Sequence, residues 1–403
     1  MPAERLGASL KVYVADKRGV TLRARRLSDV PGFGIDKVAT AAGTDPDVLR
    51  MENLDTDLPP PPGVVDATRM AVGRLEYNSW LPFSGRDDFK EAVADHVEAR
   101  SGQRYDPQSE IVITTADGDG LLDVLLATTD PGDEVILTDP TYAGMINRVR
   151  LAGGIPRFAQ CKPVDGEWRL DIDSLRAAVT DKTRALFLQN ATFPSGMVFT
   201  QEEWSAIADL VVERSLHLIY WGFMESVLFD GRPLIHPASL PEMRDRTITI
   251  GSVSIEYRMI GWRVGWVVAD ADTADAVGIA HIYNGLVASG FAQAGAVEAL
   301  RSSPDDLTRA VQEFQRRRDT VMEQLDGLPA ISASGGWALL LDTETMGIPP
   351  PEASVRLLEQ KVAATPMTVW GETVAPRYVR FVFSREPVKR LQHLGERVRR
   401  ALT

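Results

Sequence analysis

The sequence predicts an α/β protein, with a doubly wound, mostly parallel sheet in a large domain and a smaller α+β domain after it. Two observations carry this prediction. From about residue 110 onward, apolar runs of strand length alternate with segments whose apolar residues recur at i, i+3 and i+4. After about residue 300 the alternation gives way to one long charged helical segment followed by short strands. Strands that read as continuous apolar runs need cover on both faces, which a parallel sheet flanked by helices supplies. In such sheets ligands sit beyond the carboxyl ends of the strands.

Taken in order, the stretch DLPPPPG (Asp57 to Gly63) reads as a rigid extended connector, because consecutive prolines favour an extended backbone. The buried strands are EIVITT, EVILTD, RALFLQ, LHLIYW, TITIGS and VGWVVA. The helices between them are GLLDVLLATT, AGMINRVRLAG, DIDSLRAAV and EEWSAIADLVVERS. Beyond residue 300, SPDDLTRAVQEFQRRRDTVMEQLDG is a long helix, AISAS, WALLLD and YVRFVF are short strands, and VKRLQHLGERVRRAL is a final helix. Residues 1–55 are expected to contribute to the small domain, 56–300 to form the large α/β domain and 301–403 the small one.

With 403 residues, two domains are expected, since single cores stop growing at roughly 250 to 300 residues. The net charge of −12 argues against nucleic acid or an anionic membrane as partner, because neither attracts a net acid. MPAERLGASLKVYVADKRGV has no apolar core of signal-peptide length, and no later run approaches the roughly 20 apolar residues of a membrane span. A cytoplasmic protein is expected. The single cysteine, Cys161, allows no internal disulfide and reads as an inert strand-end thiol. The five histidines show no metal-ligand spacing, so no metal is expected.

One stretch carries the functional question. GSVSIEYRMIGWRVGW (251–266) has the pattern Ser-x-Ser followed by position 255 and, eight residues later, Arg263. In order along the chain come LPFSGRDDFKEAV, IVITTADGDGLLDVLL, DPTYAGM, FLQNATFPSGMVFT, LIYWGFMESVLFDG and RYVRFVF. From about Asp47 onward these segments resemble the class I/II aminotransferases, enzymes of the pyridoxal-phosphate (PLP) transferase fold type I. In that family a lysine follows Ser-x-Ser, forms the imine with the cofactor and shuttles a proton. Here the position is Ile255, which has no titratable amine.

The resemblance implies a role for each matching residue. The family aspartate that pairs with the pyridinium nitrogen falls on Trp221, the tyrosine on the cofactor's phenolic oxygen on Met224, and the asparagine sharing that oxygen on Phe193. Ser252, Ser254 and Arg263 match the phosphate ligands. The phosphate-cradling turn aligns with Thr115, Ala116 and Asp117. A carboxylate about 4 Å from a phosphate is repelled by several kcal/mol at an effective dielectric near 20. Asp117 is therefore expected to occupy the phosphate's place and to pair with Arg263. Tyr142 matches the ring-stacking aromatic and Arg380 the arginine that clamps the substrate carboxylate. Trp80, with Tyr77 as near alternative, matches an aromatic reaching into the neighbouring subunit's site.

These replacements lead to the expectation of an enzyme that has lost conventional PLP chemistry and uses no cofactor. It would act on a carboxylate-bearing, amino-acid-like or partly aromatic molecule held by Arg380 in a pocket lined by Trp221, Phe193, Met224, Ile255 and Trp80. Glu225, Tyr142 and Tyr220 are the candidate proton-transfer groups. The alternatives are a non-catalytic ligand-binding or pseudoenzyme subunit, and an enzyme holding PLP or pyridoxamine phosphate non-covalently with a relocated base. The family's homodimer, with sites at the subunit interface, is the expected assembly.

Overall fold

A computed structural model of the chain describes residues 24–31 and 34–403. The N-terminal stretch read above for a signal-peptide core lies outside the described residues. The earliest strand, β1 (Leu49–Arg50), precedes an eight-stranded sheet made of β2 (Ile111–Thr114), β3 (Glu134–Asp139), β4 (Ile155–Val164), β5 (Glu167–Leu170), β6 (Thr183–Gln189), β7 (His217–Trp221), β8 (Thr247–Ser252) and β9 (Gly265–Val268). Its order is β2-β9-β8-β7-β6-β3-β4-β5. The pairs β8–β7, β7–β6, β6–β3 and β3–β4 are parallel, whereas β9 runs antiparallel to both its neighbours and β5 antiparallel to β4.

All six residues of β3 and all six of β8 are buried, as strands covered on both faces by helices are. Helices Ala116–Thr128 and Ala271–Asn284 pack against each other on the sheet. Strands β4 and β5 escaped the sequence reading. IPRFAQCKPV mixes polar residues with Pro156 and Pro163, which a strand near a sheet edge tolerates and a central strand does not.

The second sheet contains β10 (Ala330–Ile331), β11 (Ala338–Asp342), β13 (Thr365–Pro366) and β14 (Tyr378–Val382), in the order β10-β11-β14-β13, all antiparallel. Separately, β1 pairs in parallel with β12 (Val362–Ala363), bringing the N-terminal segment to this end of the molecule. The helix after residue 300 spans Pro304–Gln324. The final helix is two pieces, Val388–Leu391 and Leu394–Leu402. Its second piece packs so tightly on the end of the long helix that a Cβ at Gly395 would lie 2.4 Å from the Gln324 carbonyl. Cys161 is buried, and burial pushes its thiol pKa well up, as befits an inert thiol.

Candidate functional site

The parallel direction of the central strands brings the carboxyl ends of β3, β6, β7 and β8 to one edge, and β14 of the smaller sheet supplies Arg380. Arg380 pairs across the sheet with Leu340 and Thr365 and is completely buried. One guanidinium nitrogen, Nη2, donates to the Glu52 carbonyl and to Thr365 Oγ1 (3.3 Å). The other two, Nε and Nη1, have no partner. The guanidinium lies 4.9 Å from the Phe193 ring centroid and 4.5 Å from that of Trp370. Burial pulls its pKa down to about 9, against the weaker upward pull of Glu52 and Tyr142. A buried cation with unfilled donors is costly, and an anion such as a carboxylate is the complementary ligand.

Trp370 is held from the large sheet. Asp139, at the end of β3, accepts backbone N–H bonds from Glu372 (3.0 Å), Thr373 (2.7 Å), Val374 (2.9 Å) and Ala375 (2.9 Å). The Thr141 N–H donates to the Trp370 carbonyl at 2.8 Å. Only glycine fits at 371, where a Cβ would come 1.9 Å from Asp139 Oδ1. Neither Trp370 nor Asp139 was picked out from the sequence; the turn residues of TVWGETVAP were the available signal.

At the end of β7 the indole of Trp221 stacks on Phe223 (centroids 3.7 Å apart, planes at 13°) and faces Tyr142 at 5.1 Å. Its Nε1 donates to Asp117 Oδ2 at 3.0 Å. The same oxygen accepts from Ser252 Oγ at 3.1 Å, and Asp117 Oδ1 accepts from the Gly118 N–H at 2.9 Å. Asp117 sits on the first turn of the helix Ala116–Thr128, directly after Ala116 with its left-handed φ of 69°. The expected pairing of Asp117 with Arg263 is therefore corrected. Arg263 is exposed and its Nη1 donates to the Ile260 carbonyl at 2.9 Å, while Asp117 is buried and satisfied by Trp221, Ser252 and Gly118. Ser252 also accepts from the Ser254 N–H at 3.3 Å, and Ser254 Oγ has no partner.

The remaining expected residues divide. Phe193 and Tyr142 join Arg380, Trp221 and Trp370 in one aromatic cluster, with Tyr142 6.3 Å from Phe193 and 6.0 Å from Trp370. Ile255 is buried. Met224 is buried in the core beneath the turn at Gly336, where a Cβ would lie 2.9 Å from its sulfur. Trp80 is 73 % exposed and packs edge-on against Phe83.

Glu225 and Tyr220, expected as proton-transfer groups, are engaged with each other and with Arg100. Glu225 Oε1 accepts from Arg100 at 2.8 Å and its Oε2 from Tyr220 Oη at 2.8 Å. Arg100 also donates to Glu256 at 2.7 Å. Burial works against the charge on Arg100, but Glu256 and Glu225 hold its pKa well above the ordinary value, while burial, then Glu225, raises that of Tyr220. This buried ionic network, with His236 3.9 Å from Glu225, engages both carboxylate oxygens of Glu225. The sequence reading missed it because Arg100 lies on the helix Asp87–Ser101, far from β7 in the chain.

The sequence pattern of the family described as aminotransferase class I and II matches residues 49–398. The aspartate/prephenate aminotransferase of Thermus thermophilus is 30 % identical over 342 residues, covering 83 % of this chain and 84 % of that protein. The probable aspartate/prephenate aminotransferase of Aquifex aeolicus is 27 % identical over 401 residues, covering 96 % and 99 %. Among solved structures, the aspartate aminotransferase of Thermus thermophilus with maleate superposes with a TM-score of 0.88 at 26 % identity, covering 95 % of this chain and all of that one.

These matches correct the expectation that no cofactor is used. The relatives are aminotransferases, enzymes that work with PLP, so PLP is the group against which this site is measured. In the arrangement described, the side chains do not fit it where the resemblance places it. Ile255 offers no amine, the indole of Trp221 fills the space between Tyr142 and Phe223, and the Asp117 carboxylate already holds the Ser252 hydroxyl.

Proposed function

The chain belongs to the class I and II aminotransferase family, and from that premise we propose that it binds a small carboxylate on Arg380 and does not carry out lysine-dependent transamination. The observation that carries the reading is the pair of unpartnered Arg380 nitrogens, Nε and Nη1, on a fully buried side chain. Nε and Nη1 lie on opposite edges of the guanidinium, so a carboxylate oxygen on either of them meets the charge and part of the hydrogen-bond demand. Phe193, Trp370 and Tyr142 offer the carboxylate's neighbour an apolar, aromatic surface, which suits an amino-acid-like ligand with an aromatic or aliphatic body. Maleate, a small dicarboxylate, accompanies the related Thermus thermophilus structure. The absence of an amine at Ile255 supports the second half of the reading, because proton transfer at the substrate carbon needs a titratable base.

The assembly is a homodimer. The helices Val64–Val72, Leu75–Asn78 and Gly290–Leu300 pack together, and Met70, Leu75, Trp80 and Phe291 on and beside them are exposed. Trp80 then reaches toward the partner's site. Covering such side chains removes apolar area from water.

Calorimetric titration with aromatic and aliphatic amino acids and 2-oxo acids tests the function, alongside an amino-transfer assay with PLP supplied. Carboxylate binding without amino transfer is expected. Transfer at rates well above the uncatalysed background, or indifference of the protein to every carboxylate, overturns the reading.

A further inference from the structure

The indole of Trp221 and the carboxylate of Asp117 together have the outline of a flat ring joined to an anion. The ring part lies between Tyr142 and Phe223, stacked at 3.7 Å on the latter. The anionic part sits on the first turn of the helix Ala116–Thr128, accepting from the Gly118 N–H and the Ser252 hydroxyl. One hydrogen bond of 3.0 Å, from Trp221 Nε1 to Asp117 Oδ2, joins the two. A helix start with orphan backbone N–H groups and a hydroxyl donor is an anion-binding arrangement. Beside it Ser254, 4 % exposed, has a hydroxyl with no partner, a donor left over once Asp117 is satisfied.

We propose that Trp221 and Asp117 form a built-in latch, an internal occupant that competes with a pyridine-ring phosphate for this slot, the indole against the ring and the carboxylate against the phosphate. The competition is intramolecular, so the latch is present at every ligand concentration and lowers the apparent affinity by the fraction of molecules in which it is closed. Asp117 also repels an incoming phosphate by like charge. The two halves act separately: Asp117 opposes any phosphate, and Trp221 opposes only ligands that carry a ring. The inference does not rest on Arg380, and the probes below carry no carboxylate.

The test is calorimetric titration at fixed ionic strength with two probes. One is inorganic phosphate. The other is 4'-deoxypyridoxine 5'-phosphate, which lacks the aldehyde and so cannot react with surface lysines. Asp117→Ala and Asp117→Asn are expected to bind both probes at least about tenfold more tightly than the unmodified chain, since a like charge is removed. Trp221→Ala is expected to tighten the pyridine phosphate by about tenfold and to leave inorganic phosphate within about twofold, since only the ring's space is freed. Equal affinity of the unmodified chain and the Asp117 variants overturns the proposal, as does a Trp221→Ala protein that gains equally for both probes. If Trp221→Ala does not fold, Asp117→Asn, close in shape to the native side chain, still decides it by gaining phosphate affinity or not.

Discussion

Replacing Arg380 by methionine separates a ligand-binding arginine from a structural one. In the folded chain Arg380 has one donor engaged, on the Glu52 carbonyl and Thr365, and two free nitrogens, with the rings of Phe193 and Trp370 beside its guanidinium. Each charge-assisted hydrogen bond to a ligand carboxylate contributes roughly 1.5–3 kcal/mol. Loss of such a bond weakens carboxylate binding by about tenfold to a hundredfold. Stability moves differently. The bond to Glu52 and the two aromatic contacts favour arginine, while burying a cation with unfilled donors costs several kcal/mol, and methionine packs well against ring edges. A buried charge replaced by an apolar side chain of similar length is often neutral or stabilising by about 1–4 kcal/mol. Urea denaturation of Arg380→Met is therefore expected to show at most about 1 kcal/mol of loss, and calorimetry a collapse of carboxylate affinity. A variant that loses several kcal/mol of stability and keeps its ligand affinity refutes the reasoning and makes Arg380 a packing residue.

Removing Arg100 has the opposite balance: Arg100→Met leaves Glu225 and Glu256 buried together and is expected to cost about 3–5 kcal/mol near neutral pH in urea melts. Burial first, and then Glu225, raise the pKa of Glu256, so its contribution to stability is present below the ordinary value of 4.5 and lost as pH rises through the raised one; acidification should recover part of the variant's loss. His236 is held neutral, its pKa pulled down to about 3 by burial and then by Arg100. Its unfolded form takes a proton near 6.5, so stability is expected to fall as pH drops through the window from about 6.5 to 3, less steeply in His236→Gln. Trp221→Phe keeps the stack on Phe223 but removes a donor from buried Asp117, at an expected cost of about 1–3 kcal/mol, read from the same denaturation curves. For the assembly, sedimentation of the native chain should give a dimer and Leu75→Asp a monomer, with a monomeric native chain sinking that reading.

The sequence made Arg380 and Ile255 visible because each sits inside a short motif whose spacing fixes its position on a strand or just after one. The buried strands β3, β7 and β8 were equally visible, each being built around a β-branched or aliphatic run of strand length. What could not be read is the partner of each polar group. Asp117 is bonded to Ser252, 135 residues away, and to Trp221, 104 away. Arg263 kept its motif spacing, yet its left-handed backbone, φ 54°, accompanies a side chain at the surface. Glu225 stands four residues from Trp221, but Arg100, 125 residues away, decides which way it faces. Short strands and strands near a sheet edge were lost for a different reason, since prolines and polar residues erase the periodicity that a strand otherwise leaves.

The four backbone N–H groups gathered on Asp139 bear on time rather than on affinity. They join the end of β3 to the loop that carries Trp370 and precedes β14, so the wall beside Arg380 is tied to the central sheet by a multiply bonded carboxylate. A ligand on a fully buried arginine can come and go only when some part of that wall opens, and each opening breaks several charge-assisted bonds together. Exchange is then set by the frequency of opening, with association far slower than collision and a long residence once the wall has closed.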